Sequence, residues 1–121
     1  MVKKLPESQD NILGYKATGR LHDEDYKKIF IPDIEQAVKK YGKIRCLLYM
    51  PEEFKGWTPK AFWDDFKIGT GKYKNDYEKL AVVGGPRWVK FGMEIDEHFA
   101  KGKARVFAVD QLEEAWKWIK A

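Results

Sequence analysis

Apolar positions along this chain fall into two kinds of stretch. Some are short and nearly continuous, and others are longer with apolar residues every third or fourth position. Ile44-Arg45-Cys46-Leu47-Leu48-Tyr49-Met50 and Leu80-Ala81-Val82-Val83 belong to the first kind. Little alternation over so short a run predicts strands covered on both faces, with Cys46, Leu48 and Val82 buried. Ile12 to Thr18 reads as another strand, closed by Gly19. A short strand around Val2 to Leu5 precedes it, and the polar turn Glu7 to Asn11 makes the two a hairpin. Arg105-Val106-Phe107-Ala108 is the last strand. Between strands the period changes. Acidic residues Asp23, Glu24 and Asp25 open a short helix, and Pro32 interrupts it and starts a second. Ile34, Ala37, Val38 and Tyr41 lie on one stripe of that second helix, and Gly42 stops it. Thr58-Pro59, a hydroxyl followed by proline, opens a helix to about Ile68 that ends at Gly69. Further helices are expected from about Arg87 to Ala100, closed by Gly102, and from Gln111 to Lys120, where Asp110 and Glu113 form a capping pair. The order β-β-α-β-α-β-α-β-α predicts an α/β fold: a mixed, mainly parallel sheet with helices packed on its faces.

At 121 residues the chain fits one domain, 1–121. Its 23 basic and 19 acidic residues are interleaved, so the net charge of +4 describes a mixed, soluble surface and does not favour nucleic acid. The single cysteine, Cys46, permits no internal disulfide and reads as a small buried hydrophobe. Met1-Val2-Lys3-Lys4-Leu5-Pro6 leads into no apolar leader, and no apolar run is long enough to cross a bilayer. Cytoplasmic residence is the expectation, with peripheral contact to the inner face of a membrane as a variant of it.

Several segments in order resemble the SpoIIAA-like family, a STAS-type group. They are Gly19-Arg20-Leu21 with Asp25-Tyr26, Gly42-Lys43-Ile44-Arg45, Gly56-Trp57 with Ala61-Phe62-Trp63-Asp64-Asp65, Ala81-Val82-Val83-Gly84 with Trp88, and Arg105-Val106-Phe107 with Glu114-Ala115-Trp116-Lys117-Trp118. The resemblance spans nearly the whole chain. It implies a STAS-type fold, similar also to the CRAL-TRIO lipid-carrier architecture, with binding of apolar ligands or membrane surfaces as the family's leading idea; the chain reads as a binding or regulatory module rather than an enzyme. STAS proteins that antagonise anti-sigma factors carry a phosphorylatable Asp-Ser pair at the start of the helix after the third strand. The matching stretch here is Glu53-Phe54-Lys55-Gly56-Trp57-Thr58-Pro59. Thr58 stands at that place as a candidate phosphosite or a plain helix cap, and the Asp-Ser pair is absent.

Motifs for chemistry are sparse. Gly69-Thr70-Gly71-Lys72 fails the phosphate-loop pattern, because Phe66 replaces its first glycine and Tyr73 its metal-binding hydroxyl. Gly84-Gly85-Pro86-Arg87 joins a strand to a helix, where it serves either as a tight turn or as an anion cradle. Glu94 and His98 are one helical turn apart but lack further metal ligands nearby in sequence, and His22 stands alone at a helix end. No catalytic residue, cofactor or metal is assigned.

The aromatic helix carries more information. Phe62, Trp63 and Phe66 span about 100° of its wheel, with Lys60, Asp64 and Lys67 opposite. Trp57 precedes the cap. These rings form either core or an apolar ligand pocket, with Trp88 and Phe91 on its other wall. Lys67, Lys72, Tyr73, Lys74 and Lys79 follow, with a composition suited to a membrane or anion contact as well as to a solvated loop. Val89 with Met93, and Trp118, stand off their helix stripes and mark candidate contacts for a second subunit. The leading expectation is a carrier or sensor of an apolar, lipid-like ligand. The alternative is a STAS-type regulatory module that binds a protein partner.

Overall fold

The computed structural model of the chain describes residues 1–63, 76–85 and 104–121. Its strands are β1 (Val2–Lys4), β2 (Ile12–Ala17), β3 (Gly19–Leu21), β4 (Ile44–Met50), β5 (Phe54–Trp57), β6 (Tyr77–Gly84) and β7 (Ala104–Phe107). Five of them form one sheet in the order β1-β2-β4-β6-β7. β1 and β2 are the antiparallel hairpin, and β2–β4, β4–β6 and β6–β7 are parallel. The fold is therefore the mixed, mainly parallel α/β sheet with helices that the alternation implies.

Strand alternation assigns each face its own core. Leu13, Tyr15, Ala17, Ile44, Cys46, Met50 and Val82 point to one side. Leu47, Ala81, Val83 and Phe107 point to the other. A central strand is thus apolar at nearly every position because consecutive side chains enter different cores. Cys46 and Val82 are buried as expected, whereas Leu48 is only partly buried at the margin of the first core.

The first face is covered by α1 (Asp23–Asp25), a wide π turn at Tyr26–Phe30, and α2 (Ile31–Tyr41). Pro32 does not split this region into two helices. The Ile31 N–H reaches back to the Tyr26 carbonyl, five residues away, so the hydrogen-bond ladder has already changed register where proline offers no N–H. Ile34 and Ala37 are buried, Val38 is partly so, and Tyr41 is exposed at the helix end. Gly42 terminates α2 with φ of 82°.

The second face is covered by α4 (Leu112–Lys120), which buries Ala115, Trp116 and Ile119. Its start departs from the expected Asp110–Glu113 pair. A short 3-10 turn at Val109–Gln111 precedes it, and Gln111 Oε1 accepts the Ala108 N–H at 2.8 Å. Its end is capped by cations from the sheet. Arg45 Nη1 donates to the Ile119 carbonyl at 2.7 Å, and Lys79 Nζ donates to the Trp118 carbonyl at 2.8 Å. Positive charge at a helix C-terminus meets both the unpaired carbonyls and the negative end of the macrodipole.

A second, two-stranded sheet pairs β3 with β5 in parallel. It was not foreseen, because Gly19 reads as the end of a strand but instead opens β3 with φ of 64°. This small sheet leads directly into the helix at 59–63, α3.

Candidate interaction site

Thr58 sets the start of α3. Its backbone N–H donates to the Leu21 carbonyl at 2.9 Å, which ties it to β3. Its Oγ1 accepts the Ala61 N–H at 3.2 Å, so the hydroxyl is a helix N-cap, and Pro59 follows at the position where a missing N–H is harmless. The first turn of α3 then faces inward with its smallest residue. Ala61 is 0% exposed within the first core, while Phe62 is 46% and Trp63 57% exposed.

Behind Phe62 runs a row of aromatic contacts. Phe62 meets Trp57 edge-on at 6.2 Å and 81°, and Trp57 meets Phe54 edge-on at 4.9 Å and 78°. Phe54 and Trp57 are three apart in one strand, which would ordinarily send them to opposite faces. The pairing of β3 with β5 slips by one residue, since Gly19 faces Phe54 and Arg20 faces Gly56, and Lys55 is the extra residue. Gly56, with φ of 107°, takes the backbone through this bulge and brings both rings to one side. The indole Nε1 of Trp57 donates to the Tyr26 hydroxyl at 2.9 Å.

Phe54 also lines a cleft of about 590 Å³ beyond the carboxyl ends of β4, β6 and β7, together with Met50, Glu52, Gly85, Phe107 and Gln111. Gly84 and Gly85 turn there with φ of 78° and 87°, and a Cβ on Gly85 would stand 2.7 Å from Met50 Cε. The Gly85 N–H donates to the Met50 carbonyl at 3.2 Å. This fits a tight turn at Gly85 itself, and the helix-start donors of the anion reading lie outside the described residues.

On the other side of Thr58 a hollow of about 590 Å³ is lined by His22, Asp23, Glu24, Asp25 and Lys60. Asp23 pairs with Lys27 at 3.1 Å and with Lys60 at 3.4 Å, and Asp25 accepts the His22 N–H at 2.7 Å. His22 is thus a helix-end residue. A phosphate on Thr58 would place added negative charge beside three carboxylates and displace the cap.

Of the anticipated pocket residues, Trp57 and Phe62 meet in the aromatic row, Trp63 follows Phe62 on α3, and Phe62 and Trp63 open to the surface. Phe66, Trp88 and Phe91 lie outside the described residues. So do Lys67, Lys72, Tyr73 and Lys74, the Gly69–Lys72 segment, Glu94 and His98, Val89 and Met93, and the expected helix from Arg87 to Ala100. Lys79 is half-buried. Besides capping α4, its ammonium sits 5.1 Å from the centre of the Trp118 ring. Trp118 itself packs on Phe107 at 6.0 Å, so it belongs to the margin of the second core. The sequence pattern does not mark Phe54 or Tyr26 as part of this row; the bulge and the π turn bring them to it.

Two buried ionisable groups are structural. Burial pushes the Cys46 thiol up to about 12, which leaves no nucleophilic thiolate. The Tyr15 phenol is held well above its ordinary range, first by burial and then by its 2.6 Å hydrogen bond to Asp33. Among the described residues, no three His, Cys, Asp or Glu side chains gather where they could hold a metal ion. No helix among them is long and apolar enough to cross a membrane.

Residues 12–120 match the profile of the SpoIIAA-like family. In three dimensions the chain is similar to an uncharacterised protein of the DUF3478 family with a SpoIIAA-like fold from Shewanella loihica PV-4. The two share 28% identity and a TM-score of 0.71, over 98% of this chain and 93% of that one. Comparison with curated proteins finds no match.

Proposed function

The chain belongs to the SpoIIAA-like family, and from that premise we propose that it is a regulatory protein-interaction module, working by docking a partner protein rather than by catalysis. One observation carries this reading: α3 buries Ala61 and presents Phe62 and Trp63 outward. A core helix would do the reverse, since fully burying a large side chain is worth roughly 1.5–3 kcal/mol. Tryptophan at the centre of a protein interface is among the residues that most often dominate binding. Phe62 is backed by Trp57, and Trp57 by Phe54, so little freedom of the Phe62 ring is lost when a partner covers it. This arrangement supports docking over the carrier expectation, which needs Phe62 and Trp63 to face an enclosed ligand.

The test is site-specific photocrosslinking in cells. A benzoylphenylalanine at position 63 keeps an aromatic side chain there, and the same group at exposed Lys39 on α2 serves as control. The expected result is one protein adduct from position 63, none from 39, and loss of the adduct with Phe62→Ser. The captured protein, once purified, should then bind the wild-type chain saturably and the Phe62→Ser variant at least tenfold more weakly. Adducts with lipid or small molecules alone, or no adduct, would overturn the docking reading.

A further inference from the structure

We propose that Tyr26 is the positioning residue of the aromatic surface: its hydroxyl, set in place by the π turn, holds the Trp57 indole and through it the ring of Phe62. The inference deepens the docking reading and rests on it for its biological use, though the geometry stands by itself. Tyr26 is one of the most deeply buried large side chains, wedged against Phe30 at 4.8 Å, which in turn meets Tyr15 at 4.9 Å. Packing thus holds the side chain in place, with its oxygen where the Trp57 indole reaches it. An indole has a single N–H donor. The 2.9 Å bond from Trp57 Nε1 to that oxygen consequently fixes the rotation of the indole as well as its place.

That rotation matters because Phe54 and Phe62 meet the Trp57 ring near-perpendicular, at 78° and 81°. Edge-to-face contacts depend on which edge meets which face, so a turned indole loses its fit on both sides together. The wide turn is what joins this contact to the rest of the fold. It lets Tyr26 point under β5 while the helical ladder continues past Pro32 into α2 and its buried Ile34 and Ala37. Wide turns of this kind recur where a side chain is aimed for a function.

The experiment places a single trifluoromethyl-phenylalanine at position 62 and reads its fluorine NMR signal in four otherwise identical proteins: wild type, Tyr26→Phe, Trp57→Phe and the double variant. Tyr26→Phe keeps the ring and removes only the acceptor. Trp57→Phe leaves the π turn untouched and removes the donor, so the bond can be broken from either side if one variant folds poorly. The expected result is a shifted, broadened signal in Tyr26→Phe, and a double variant indistinguishable from Trp57→Phe alone. A signal in Tyr26→Phe identical to wild type, or additive effects in the double variant, would overturn the proposal. Crosslinking from position 63 should fall at least threefold in Tyr26→Phe. If the wild type gives no protein adduct, the docking reading fails, while the fluorine signal still decides the role of Tyr26. If the wild type crosslinks and Tyr26→Phe crosslinks equally well, positioning fails and docking stands.

Discussion

Replacing Gly14 by alanine tests how α4 is seated on the sheet. Gly14 lies within β2, and nothing about its backbone demands glycine, since it is not among the residues with positive φ. Backbone entropy alone therefore predicts that alanine would stabilise the strand by roughly 0.5–1 kcal/mol. The opposite outcome follows from packing. An added Cβ would press into the Trp116 ring, standing 2.8 Å from its Cζ2. Trp116 cannot retreat, because Ala115 and Ile119 on either side are fully buried against the same face. Overpacking of this kind costs about 1–3 kcal/mol, so with both ranges taken at their centres Gly14→Ala loses about 1 kcal/mol net. With a urea slope of about 2 kcal/mol/M, the unfolding midpoint should fall by about 0.5 M. A double-mutant cycle separates the contact from other causes. Trp116→Phe makes room for the new methyl. It also removes an indole N–H that finds no acceptor among the described residues. Gly14→Ala should then cost at least about 1 kcal/mol less in the Trp116→Phe background than in wild type. A midpoint that rises or stays level in Gly14→Ala, or strict additivity with Trp116→Phe, would refute the reasoning.

Thr58→Ala should destabilise the protein by about 1 kcal/mol through loss of the cap on the Ala61 N–H, read as a lower urea midpoint, whereas Thr58→Ser should restore most of it. Cys46 should resist a colourimetric thiol reagent at pH 8 in the native protein and react only after unfolding. The same burial has a pH signature. The folded thiol is raised from 9.0 to about 12, so the unfolded chain ionises first, and stability present below pH 9 is lost as the pH climbs toward 12. Urea midpoints measured across that window should fall less steeply for Cys46→Val than for wild type.

The strands of the main sheet are legible in the chain because each central run must feed two cores at once. This explains why Ile44–Met50 is apolar at nearly every position and why Cys46 and Val82 are buried. The β1–β2 hairpin is legible for a different reason: its two runs are joined by a short polar turn. The small β3–β5 sheet is not legible, since Gly19 reads as a strand end and the pairing joins segments far apart in the chain through a register shift that no local pattern announces. Gln111 displaced Asp110 and Glu113 as the capping group because the helix begins through a 3-10 turn, which moves the unpaired N–H to Ala108.

For the candidate site, the sequence by itself determined where α3 begins, because a hydroxyl followed by proline satisfies a helix start through local bonds alone. It also determined that Phe62 and Trp63 share a sector of that helix, because the angle between residues follows from the helical repeat. Which way that sector faces was decided only by the tertiary structure. A helical wheel gives relative angles and no absolute direction, and the direction was set by long-range contacts: the Thr58 bond to Leu21, the burial of Ala61 and the Tyr26–Trp57 bond. Each joins residues far apart in the chain. The same holds for Lys79, whose charge reads as a surface contact until Trp118, thirty-nine positions away, brings a helix end to meet it.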